Sequence, residues 1–585
     1  MIRKLFRQML LTQILSSMTV MVCMLIDSIM IGRFLGVESM TAYGLAAPVL
    51  LVFAAFGNLI SAGVQVVCGK AMGTGDRKNA NACFTVSAVL AMIISGIGVI
   101  VILLFTGPIC TMLGAGPPVP GNHVFFLTRD YLRGFIIGAP AFMAAQIMVP
   151  YMQLTGNRTR LVVAVALMTV GDIIFDILNV ALFKGGTLGM GLASSLSYYI
   201  AFVIGIAYFF KKECVFRFRP KLISRRISRQ LLMAGVPTLV NQLSLVLMTY
   251  LYNKILLDVG RNLAVAAYSV VSTAGNICYS FSSGIASVAL MLSSIFYSDE
   301  DKNGLRTVVK TMAYYTVVIC GAVTVLVLIF AVPLVRLFLE DKAAEHMAVR
   351  GMRLFVLSLV PCGLNTCFKN YYQGIDRVAL TQVISVLQNF ALPTLAAFVL
   401  SRIFRITGVW LGFLTGEMLT LTIISLYVFK KNHKIAFTAK VYSLIRDDFG
   451  VSDENCFERS ISRQGDVDAV CVAAEEFCTG RGQTEEMGSL ISASIREMST
   501  YIIDHGFSKD NKEHTIDIRI LIKDEGPTLR LRDNCENYDP VKNLDLRKAD
   551  GTEDEAESGL RKIMNTVRKV NYVNTLGFNN LTLIM

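Results

Sequence analysis

Charged residues are scarce in this sequence, and they are unevenly distributed. Asp, Glu, Lys and Arg account for 17% of the 585 residues, whereas hydrophobic residues account for 54%; this balance is unlike that of an ordinary soluble domain. Up to about residue 435 the charges lie almost entirely in short loops between long apolar runs, and beyond it they are frequent. The composition therefore predicts a large integral membrane part, followed by a soluble C-terminal domain of about 140 residues.

The sequence also lacks the motifs of metal centres and of disulfide frameworks. Its 13 cysteines are scattered, several of them inside apolar runs, and they form no CxxC pair and no Cys/His cluster. The five histidines show no ligand spacing either. We interpret the cysteines as reduced, packed side chains, and we predict that the chain requires neither a metal nor a cofactor.

Twelve apolar runs are long enough to be transmembrane helices, since about 20 residues span a hydrocarbon core roughly 30 Å thick. The first run is too long for the core of a signal peptide and has no small-residue cleavage site, so it is predicted to be a retained helix. The predicted spans are residues 9–32, 41–69, 83–106, 125–154, 161–183, 188–210, 232–257, 264–296, 310–338, 351–373, 379–401 and 406–429. The expected fold class is an all-α polytopic membrane protein fused to a small cytoplasmic α/β domain.

Basic residues orient the predicted helices. The loops on one side are rich in Lys and Arg, whereas those on the other side are poor in them, and the loop at residues 107–122 carries no charge. By the positive-inside rule, both termini and the long central loop are cytoplasmic. The net charge of +12 follows from this topology, so it implies no nucleic-acid partner. The residues that set the orientation are Arg3, Lys4, Arg7, Lys211, Lys212, Arg217, Arg219, Lys221, Arg225, Arg226, Arg229, Lys430, Lys431 and Lys434.

An internal repeat divides the membrane part. GMGL at residues 189–192 recurs as GVWL at residues 408–411, and the loop at residues 75–79 resembles the loop at residues 299–303. Two tandem six-helix lobes related by an axis along the membrane normal, with a site between them, are typical of alternating-access transporters. The predicted domains are residues 1–220 (helices one to six), 221–435 (helices seven to twelve) and 445–585 (cytoplasmic).

Asp27 is the most informative single residue. It is the only charge in an apolar run from Met9 to Ile31. A carboxylate at the centre of a membrane helix costs about 2.5–3.5 kcal/mol on insertion scales, and such groups usually mark ion or proton pathways. A hydrogen bond to a neighbouring helix would also account for it. The sharper hypothesis is that Asp27 binds and releases a proton or a cation during transport.

These residues resemble a known family. The stretch MLIDSIMIGRFLGVESMTAYGLAAPV is similar to the first two helices of multidrug and toxic compound extrusion (MATE) transporters, and AMGTGDRKNA, YMQLTGNRTR and GVWLGFLTGEMLTL fall where that family has its own versions. The resemblance covers about residues 1–432. It implies secondary active export of organic cations or related amphiphiles, driven by a proton or sodium gradient across the bacterial cytoplasmic membrane.

The resemblance also assigns roles to carboxylates. Asp27 matches the family's carboxylate in helix one, and Asp176 matches the helix-five carboxylate that faces the same cavity. The family often has Asn four residues before the latter, whereas this chain has Asp172; residues four apart share a helical face. Three carboxylates in one pocket of low dielectric constant do not all ionise readily, so at least one should hold a proton. The extra oxygens could equally coordinate sodium, and Asp172 could instead reach solvent at a helix end.

Other polar groups inside the predicted helices are candidates for the transport path. Asn58, Gln65, Asn241 and Gln242 could line it, although most polar side chains in such helices form interhelical hydrogen bonds. Glu417 lies in the family-like GEMLTL of helix twelve and suits a functional role and a structural one equally.

The C-terminal domain has the pattern of a separate α/β fold. Helices are predicted at residues 466–478 and 485–505, and alternating strands follow them. The first strand should place Ile516, Ile518, Ile520 and Ile522 on one face, and TLRLRD and LTLIM form later strands. In order and spacing, residues 445–585 resemble the α+β sandwich of GHKL ATPases, in particular the anti-sigma-factor serine kinases.

The nucleotide motifs of that fold match poorly here. Glu497 falls on the N-box glutamate, but Tyr501 replaces the asparagine that would hold magnesium. Asp533 matches the adenine-reading aspartate, and Gly559 remains from a glycine motif whose other glycines are missing. Their loss weakens phosphate binding by backbone N–H groups, and phosphoryl transfer would lack its magnesium. The resemblance therefore implies a degenerate regulatory module, with weak ATP binding at most, or a fold kept for protein contacts.

Three functions are compatible with this sequence. The first is an exporter that its soluble domain regulates, and the second is a membrane sensor that signals through a histidine-kinase-like or anti-sigma-like domain. The third is a lipid-linked saccharide flippase of the same superfamily, in which a more cationic cavity is expected. The acidic intramembrane charges favour the exporter, which is not an enzyme. Its expected partners are the lipid bilayer, a small organic cation or amphiphile, and a cytoplasmic regulatory protein.

Overall fold

The computed structural model describes residues 2–210, 214–336, 342–446, 449–507, 514–535 and 555–585. Long helices form a bundle up to Asn432, and a mixed α/β domain follows the bundle. The bundle helices are α1 (Ile2–Met30), α2 (Val37–Gly73), α3 (Arg77–Cys110), α4 (His123–Ile136), α5 (Ala139–Leu154), α6 (Arg158–Leu178), α7 (Gly186–Phe209), α8 (Arg225–Ser298), α9 (Lys302–Arg336), α10 (Lys342–Val356), α11 (Leu359–Gly374), α12 (Val378–Val386), α13 (Leu392–Phe404) and α14 (Ile406–Asn432).

Within the described ranges, ten helices are long and apolar enough to cross a membrane, and two bent pairs bring the total to as many as twelve. A helix satisfies its own backbone hydrogen bonds, which a lipid environment requires. The sequence predicts continuous spans at residues 125–154 and 351–373, whereas α4 and α5 meet at a 49° bend and α10 and α11 at a 47° bend. Pro140 and Pro361 stand in the first turns of α5 and α11, where proline has no N–H to continue the preceding helix.

Helix α8 contains two of these spans, which the sequence predicts as separate helices. A straight helix from Leu231 to Ser298 would be roughly 100 Å long. A Cβ on Gly63 of α2 would nevertheless collide with the Leu231 carbonyl, and a Cβ on Gly73 of the same helix would collide with Ser298. Both ends of α8 therefore lie against one end of α2, and α8 turns back between its two apolar spans, Arg225–Gly260 and Val270–Ser298.

The hydrophobic cores show how the helices group. We call α1–α7 the N-terminal half and α8–α14 the C-terminal half. One core contains only N-terminal residues, such as Tyr131 and Phe135, and another contains only C-terminal residues, such as Tyr252 and Trp410. The largest core contains residues of both halves together with Val573 of the C-terminal domain. The two halves therefore share a core at the end of the bundle next to that domain, which we call the domain-side end, and have separate cores toward the far end.

Small residues bring the two halves together at the domain-side end. Gly235 of α8 leaves no room for a Cβ beside the Leu59 carbonyl of α2, and such close backbone approach is typical of packed membrane helices. The Ser294 hydroxyl donates to the Gln65 carbonyl over 2.7 Å. Lys70 of α2 forms an ion pair with Asp376 of the α11–α12 turn. These contacts hold the two halves together at the domain-side end.

The C-terminal domain is an antiparallel sheet with helices on one face. Its strands are hydrogen-bonded in the order β1-β2-β3-β5-β4. Ile516, Ile518 and Ile520 pack with α16 and α17, as the alternating pattern predicts. Ile522 was expected on the same face, but it is only half-buried because it pairs with Pro527 beside the β2–β3 turn. The chain that joins α14 to the domain contains α15 (Ala439–Tyr442). The elements of the domain are β1 (Cys456–Ile461), α16 (Asp466–Gly480), α17 (Glu485–Ile502), β2 (Ile516–Lys523), β3 (Gly526–Asp533), α18 (Glu555–Thr566), β4 (Lys569–Thr575) and β5 (Phe578–Ile584).

Replacing Gly235 with Ala should separate the halves at the domain-side end. The added methyl group has no space beside the Leu59 carbonyl, and overpacking of this kind costs about 1–3 kcal/mol. We expect Gly235→Ala to lower the thermal unfolding midpoint of the detergent-solubilised protein. Gly321→Ala is the matched control, because nothing lies within 4 Å of its Cβ position in α9. Equal midpoints for the two variants would contradict a tight contact.

Candidate functional site

The structure brings Asp27, Asp172 and Asp176 together in the N-terminal half. Asp27 lies near the end of α1, and the other two lie one turn apart on α6. All three are buried, and Asp172 is only 1% exposed. Asp172 therefore does not reach solvent at a helix end, which was the alternative that the sequence left open.

Few groups bind the three carboxyls. The Ser194 hydroxyl of α7 donates to Asp27 Oδ2 over 3.3 Å. The Asp27 and Asp176 carboxyls face each other, and Asp172 lies next to Cys23 and Ser197. In the part of the chain that the structure describes, one oxygen of Asp27, one of Asp172 and both of Asp176 are buried without a hydrogen-bond partner. The cluster therefore has free acceptor positions inside the protein.

The charge of this cluster is not balanced by a neighbouring cation. Among the residues that the structure describes, no Lys or Arg forms an ion pair with any of the three carboxyls. Ionising all of them would place like charges side by side in an apolar environment, which is strongly unfavourable. At least one proton or another small cation must therefore be bound for the cluster to remain buried. No group of three or more His, Cys, Asp or Glu in the described ranges is arranged to hold a metal ion.

Tyrosines that the sequence analysis did not select surround the carboxyls. Tyr43, Tyr131 and Tyr198 all lie close enough to interact electrostatically with Asp27 and Asp172. The Tyr43 and Tyr131 rings meet edge to face, with centroids 5.3 Å apart. The Tyr131 hydroxyl is buried, and none of the described residues forms a hydrogen bond with it. Aromatic residues are common in apolar spans, so nothing in their spacing distinguished these three from packing residues.

The predicted polar residues of α2 do not join the carboxyl cluster. Gln65 is buried at the domain-side contact, where its carbonyl accepts from Ser294. Asn58 is half-buried on the same helix, about two turns away. Both residues lie on the α2 segment that meets α8. They are therefore closer to the contact between the halves than to an ion site.

Glu417 and Asn241 belong to a polar network in the C-terminal half. Asn365 Nδ2 donates to Glu417 Oε2 over 2.8 Å, and Gln388 Nε2 lies 3.5 Å from Glu417 Oε1. Lys369 Nζ donates to the side-chain oxygens of Gln388 and Asn241. Gln388 thus connects a buried ammonium to a buried carboxylate.

Lys369 is the main residue of this network that sequence reasoning missed. It is the only charged residue between Arg353 and Asp376, and that isolation was the available signal. Gln242, the remaining predicted residue, is half-buried next to Asn241. It makes none of the network's hydrogen bonds in the described part of the chain.

The predicted nucleotide residues lie in the C-terminal domain. Glu497 and Tyr501 are on α17, and Gly559 is within α18. Asp533 ends β3, where its Oδ1 accepts from Asn579 Nδ2 over 2.8 Å. Burial raises the pKa of the Asp533 carboxyl, and the hydrogen bond from Asn579 opposes that rise. Residues 536–554, which include one position where the family's glycine is missing, lie outside the described residues.

A bundle of ten to twelve apolar helices, with an uncompensated carboxyl cluster in one half and a Lys–Glu network in the other, defines a polytopic membrane transporter. The MatE family model matches residues 13–178 and 237–399, which together are more than half of the chain. The protein therefore belongs to the MatE family of transporters, and it is not an enzyme. The two matched segments fall in the two halves of the bundle.

Curated proteins agree with this assignment. The probable multidrug resistance protein YoeA of Bacillus subtilis is 23% identical over 425 residues, which cover 70% of this chain and 90% of that protein. The multidrug export protein MepA of Staphylococcus aureus (strain MRSA252) is 23% identical over 384 residues, which cover 65% of this chain and 83% of that protein.

Solved structures share the fold of the bundle. The bent form of the Vibrio cholerae MATE transporter VcmN gives a TM-score of 0.66 at 18% identity, covering 76% of this chain and 97% of that one. An outward-facing conformation of a multidrug resistance MATE family transporter gives a TM-score of 0.65 at 19% identity, covering 72% of this chain and 94% of that one.

Removing one carboxyl from the cluster should stabilise the protein at alkaline pH. Ionising several carboxyls side by side in an apolar environment is unfavourable, so the folded state should lose stability relative to the unfolded state as the pH rises. We expect the unfolding midpoint of Asp172→Asn to exceed that of the wild type by an increasing margin from mildly acidic to mildly alkaline pH. Asp130→Asn, at a half-exposed carboxylate paired with Arg129, is the control and should show no such trend.

Proposed function

We propose that this protein exports small amphiphilic organic cations from a bacterial cell in exchange for protons. The observation that carries the proposal is the cluster of Asp27, Asp172 and Asp176, which is buried with unbonded oxygens. Such a cluster binds a cation strongly when ionised and weakly when protonated. The names of the relatives YoeA and MepA, a multidrug resistance protein and a multidrug export protein, support a drug-like substrate.

Protons suit this cluster better than sodium. A proton needs one carboxyl oxygen, whereas hard cations such as calcium and magnesium take about six or more converging oxygens, and sodium is a cation of the same hard kind. The described residues include no group arranged to hold a metal ion. Sodium remains the second candidate, and the transport experiment below compares the two ions directly.

The domain-side end of the bundle faces the cytoplasm in this proposal, and the protein spans the cytoplasmic membrane with both termini inside. The segment that joins α7 to α8 at this end carries Arg217, Arg219 and Lys221, which is the basic bias of cytoplasmic loops. The halves share a core at this end and have separate cores toward the far end. The conformation described here is then closed to the cytoplasm and opens outward.

Transport follows if the halves rock against each other as two lobes, residues 1–220 and 221–435. An ion drives such a change only through different affinities for the two states. A proton from outside would neutralise the carboxyl cluster in the outward-open state and release the exported cation. Return of the proton to the cytoplasm would restore the negative charge for the next cation. Glu417 and Lys369 would contribute a second ionisable site in the other lobe.

Asp27→Asn should abolish coupled export. The experiment follows ethidium transport in everted vesicles under a proton gradient or a sodium gradient, imposed separately. We expect wild-type transport with the proton gradient alone, and transport by Asp27→Asn at the level of vesicles that lack the protein, because Asn cannot exchange a proton. The matched control is Asp130→Asn, which removes a carboxylate of the same half that lies outside the cluster.

The outcomes separate the proposals. If a sodium gradient drives transport by the wild type and not by Asp27→Asn, the protein is an exporter whose coupling ion is sodium rather than the proton. Equal transport by Asp27→Asn and the wild type would show that Asp27 does not take part in ion coupling. Absence of transport in every sample would favour the sensor or the saccharide flippase.

We further propose that the C-terminal domain, residues 445–585, is a degenerate GHKL-like module that regulates the transporter without hydrolysing ATP. Tyr501 stands at the magnesium-ligand position, and Asp533 already accepts hydrogen bonds from Asn579 and from the Cys535 backbone. A nucleotide base would have to displace these internal donors. A role in protein contacts therefore suits this domain better than ATP hydrolysis does.

The purified protein should show no ATP hydrolysis that depends on Glu497. In active members of that fold this glutamate serves the reaction, so Glu497→Gln would eliminate genuine turnover. We expect the wild type and Glu497→Gln to release phosphate from magnesium ATP at the same background rate. A rate that falls only in Glu497→Gln would show that the domain is an active ATPase.

A further inference from the structure

The sheet of the C-terminal domain presents a basic face to the membrane bundle. Its other face packs on α16 and α17 through residues such as Ile518 and Leu531. Because side chains alternate along a strand, Arg519, Arg530 and Arg532 point away from those helices. All three are largely buried, with side-chain exposures of 12%, 13% and 18%. What buries them is the bundle.

These arginines bind the α8–α9 turn of the C-terminal half. Asp299 is only 3% exposed, and it forms ion pairs with Arg530 and, over 2.8 Å, with Arg532. Arg519 Nη2 donates to the Glu300 carbonyl over 3.0 Å. Removing one partner from a buried ion pair is strongly destabilising because it leaves an unpaired charge. This attachment therefore depends on specific charge pairs.

The other end of the same sheet binds the N-terminal half. The tip of the β4–β5 hairpin is Leu576-Gly577, and the Leu576 N–H donates to the Leu154 carbonyl at the end of α5 over 2.6 Å. Gly156 and Gly577 are in such close contact that a Cβ on Gly156 would overlap the Gly577 backbone. Leu576 itself is 3% exposed, and its side chain belongs to the core shared by both halves.

A second contact reaches the α2–α3 turn of the N-terminal half. Arg77 Nε donates to the Tyr572 carbonyl of β4 over 2.7 Å, and the Arg77 guanidinium lies over the Tyr572 ring. The turn at residues 75–79 is the repeat counterpart of the turn at residues 299–303, which the arginines bind. One continuous sheet thus holds equivalent turns of both halves.

We propose that the C-terminal domain is an intramolecular clamp that keeps the two halves together at the domain-side end. The proposal rests on the proposed function only in identifying that end as cytoplasmic. Strands β2, β3, β5 and β4 are hydrogen-bonded to one another in that order, so the sheet cannot lengthen. Separation of the halves at this end, which opening toward the cytoplasm requires, must break one of its two attachments. The clamp therefore restrains transport while it is closed.

The attachment to the N-terminal half is the one that releases. The contacts shown there come from the β4–β5 hairpin and from Arg77, whereas the attachment to the C-terminal half contains several buried ion pairs. The chain that joins the domain to α14 is also held by the C-terminal half: the Tyr371 and Tyr372 hydroxyls donate to the carbonyls of Ser443 and Tyr442, each over 3.1 Å. The domain therefore moves with the C-terminal half, and the β4–β5 hairpin is the part that detaches from the N-terminal half.

Leu576→Asp tests the clamp in the full-length protein. A carboxylate at this position is buried only while the hairpin is docked, so the variant favours the released state. Leu576 lies outside the domain's own core, and the substitution should leave the domain folded. We expect faster ethidium export than in the wild type, on the order of fivefold or more, which is the lower end of typical coupling between sites.

Val472→Asp is the matched control, because Val472 is 56% exposed on α16, a helix on the opposite face of the sheet. It should export at the wild-type rate. Slower export by Leu576→Asp than by Val472→Asp would mean that docking supports transport, and equal rates would mean that docking does not limit it. Either result overturns the clamp.

Hydrogen exchange tests the clamp without any substrate, so a failure of the proposed export activity would not affect this result. In Leu576→Asp, peptides covering residues 59–73 of α2 should exchange faster than in the wild type and in Val472→Asp. The turn at residues 299–303 should remain protected, because the arginines still bind it. Unchanged exchange in α2, or equal loss of protection in both turns, would overturn the proposal.

Discussion

Close contact between the backbones of α2 and α8 is the constraint on which the rest of this structure depends. The glycines there, such as Gly63 and Gly235, leave no space for a side chain, so the two halves pack tightly at the domain-side end. Toward the far end each half has its own core. The ionisable residues Asp27 and Lys369 lie within separate halves, and this contact fixes how the halves are placed relative to each other.

The charges inside the bundle divide unequally between the halves. In the N-terminal half, Asp27, Asp172 and Asp176 lie together without a cation, and their burial is unfavourable unless a proton or a small cation is bound. In the C-terminal half, Glu417 and Lys369 are joined through Gln388, so opposite charges partly compensate. The first arrangement changes its affinity for a cation on protonation, whereas the second can stay neutral overall.

Much of this organisation could be predicted from the sequence, but several bends and side-chain contacts could not. Long apolar runs predicted the spans, because lipid admits few other backbone conformations, and the Asp172–Asp176 spacing predicted a shared helical face. The sequence did not locate the bends at residues 137–138 and 357–358 or show that α8 runs on between its two spans, since these features depend on packing against other helices. Lys369 was overlooked because its partners Asn241 and Gln388 come from other segments of the chain.

The sequence by itself determined which segments form long apolar helices, which carboxylates lie in them and that a C-terminal α/β domain follows, because hydropathy and helical periodicity are local properties. The tertiary structure decided which charges are compensated and what the soluble domain contacts. In the sequence, nothing distinguishes Arg519, Arg530 and Arg532 from solvent-facing residues of a strand. Nothing distinguishes Asp299 from an ordinary loop residue either. Their pairing joins positions more than 200 residues apart, which only the folded chain brings together.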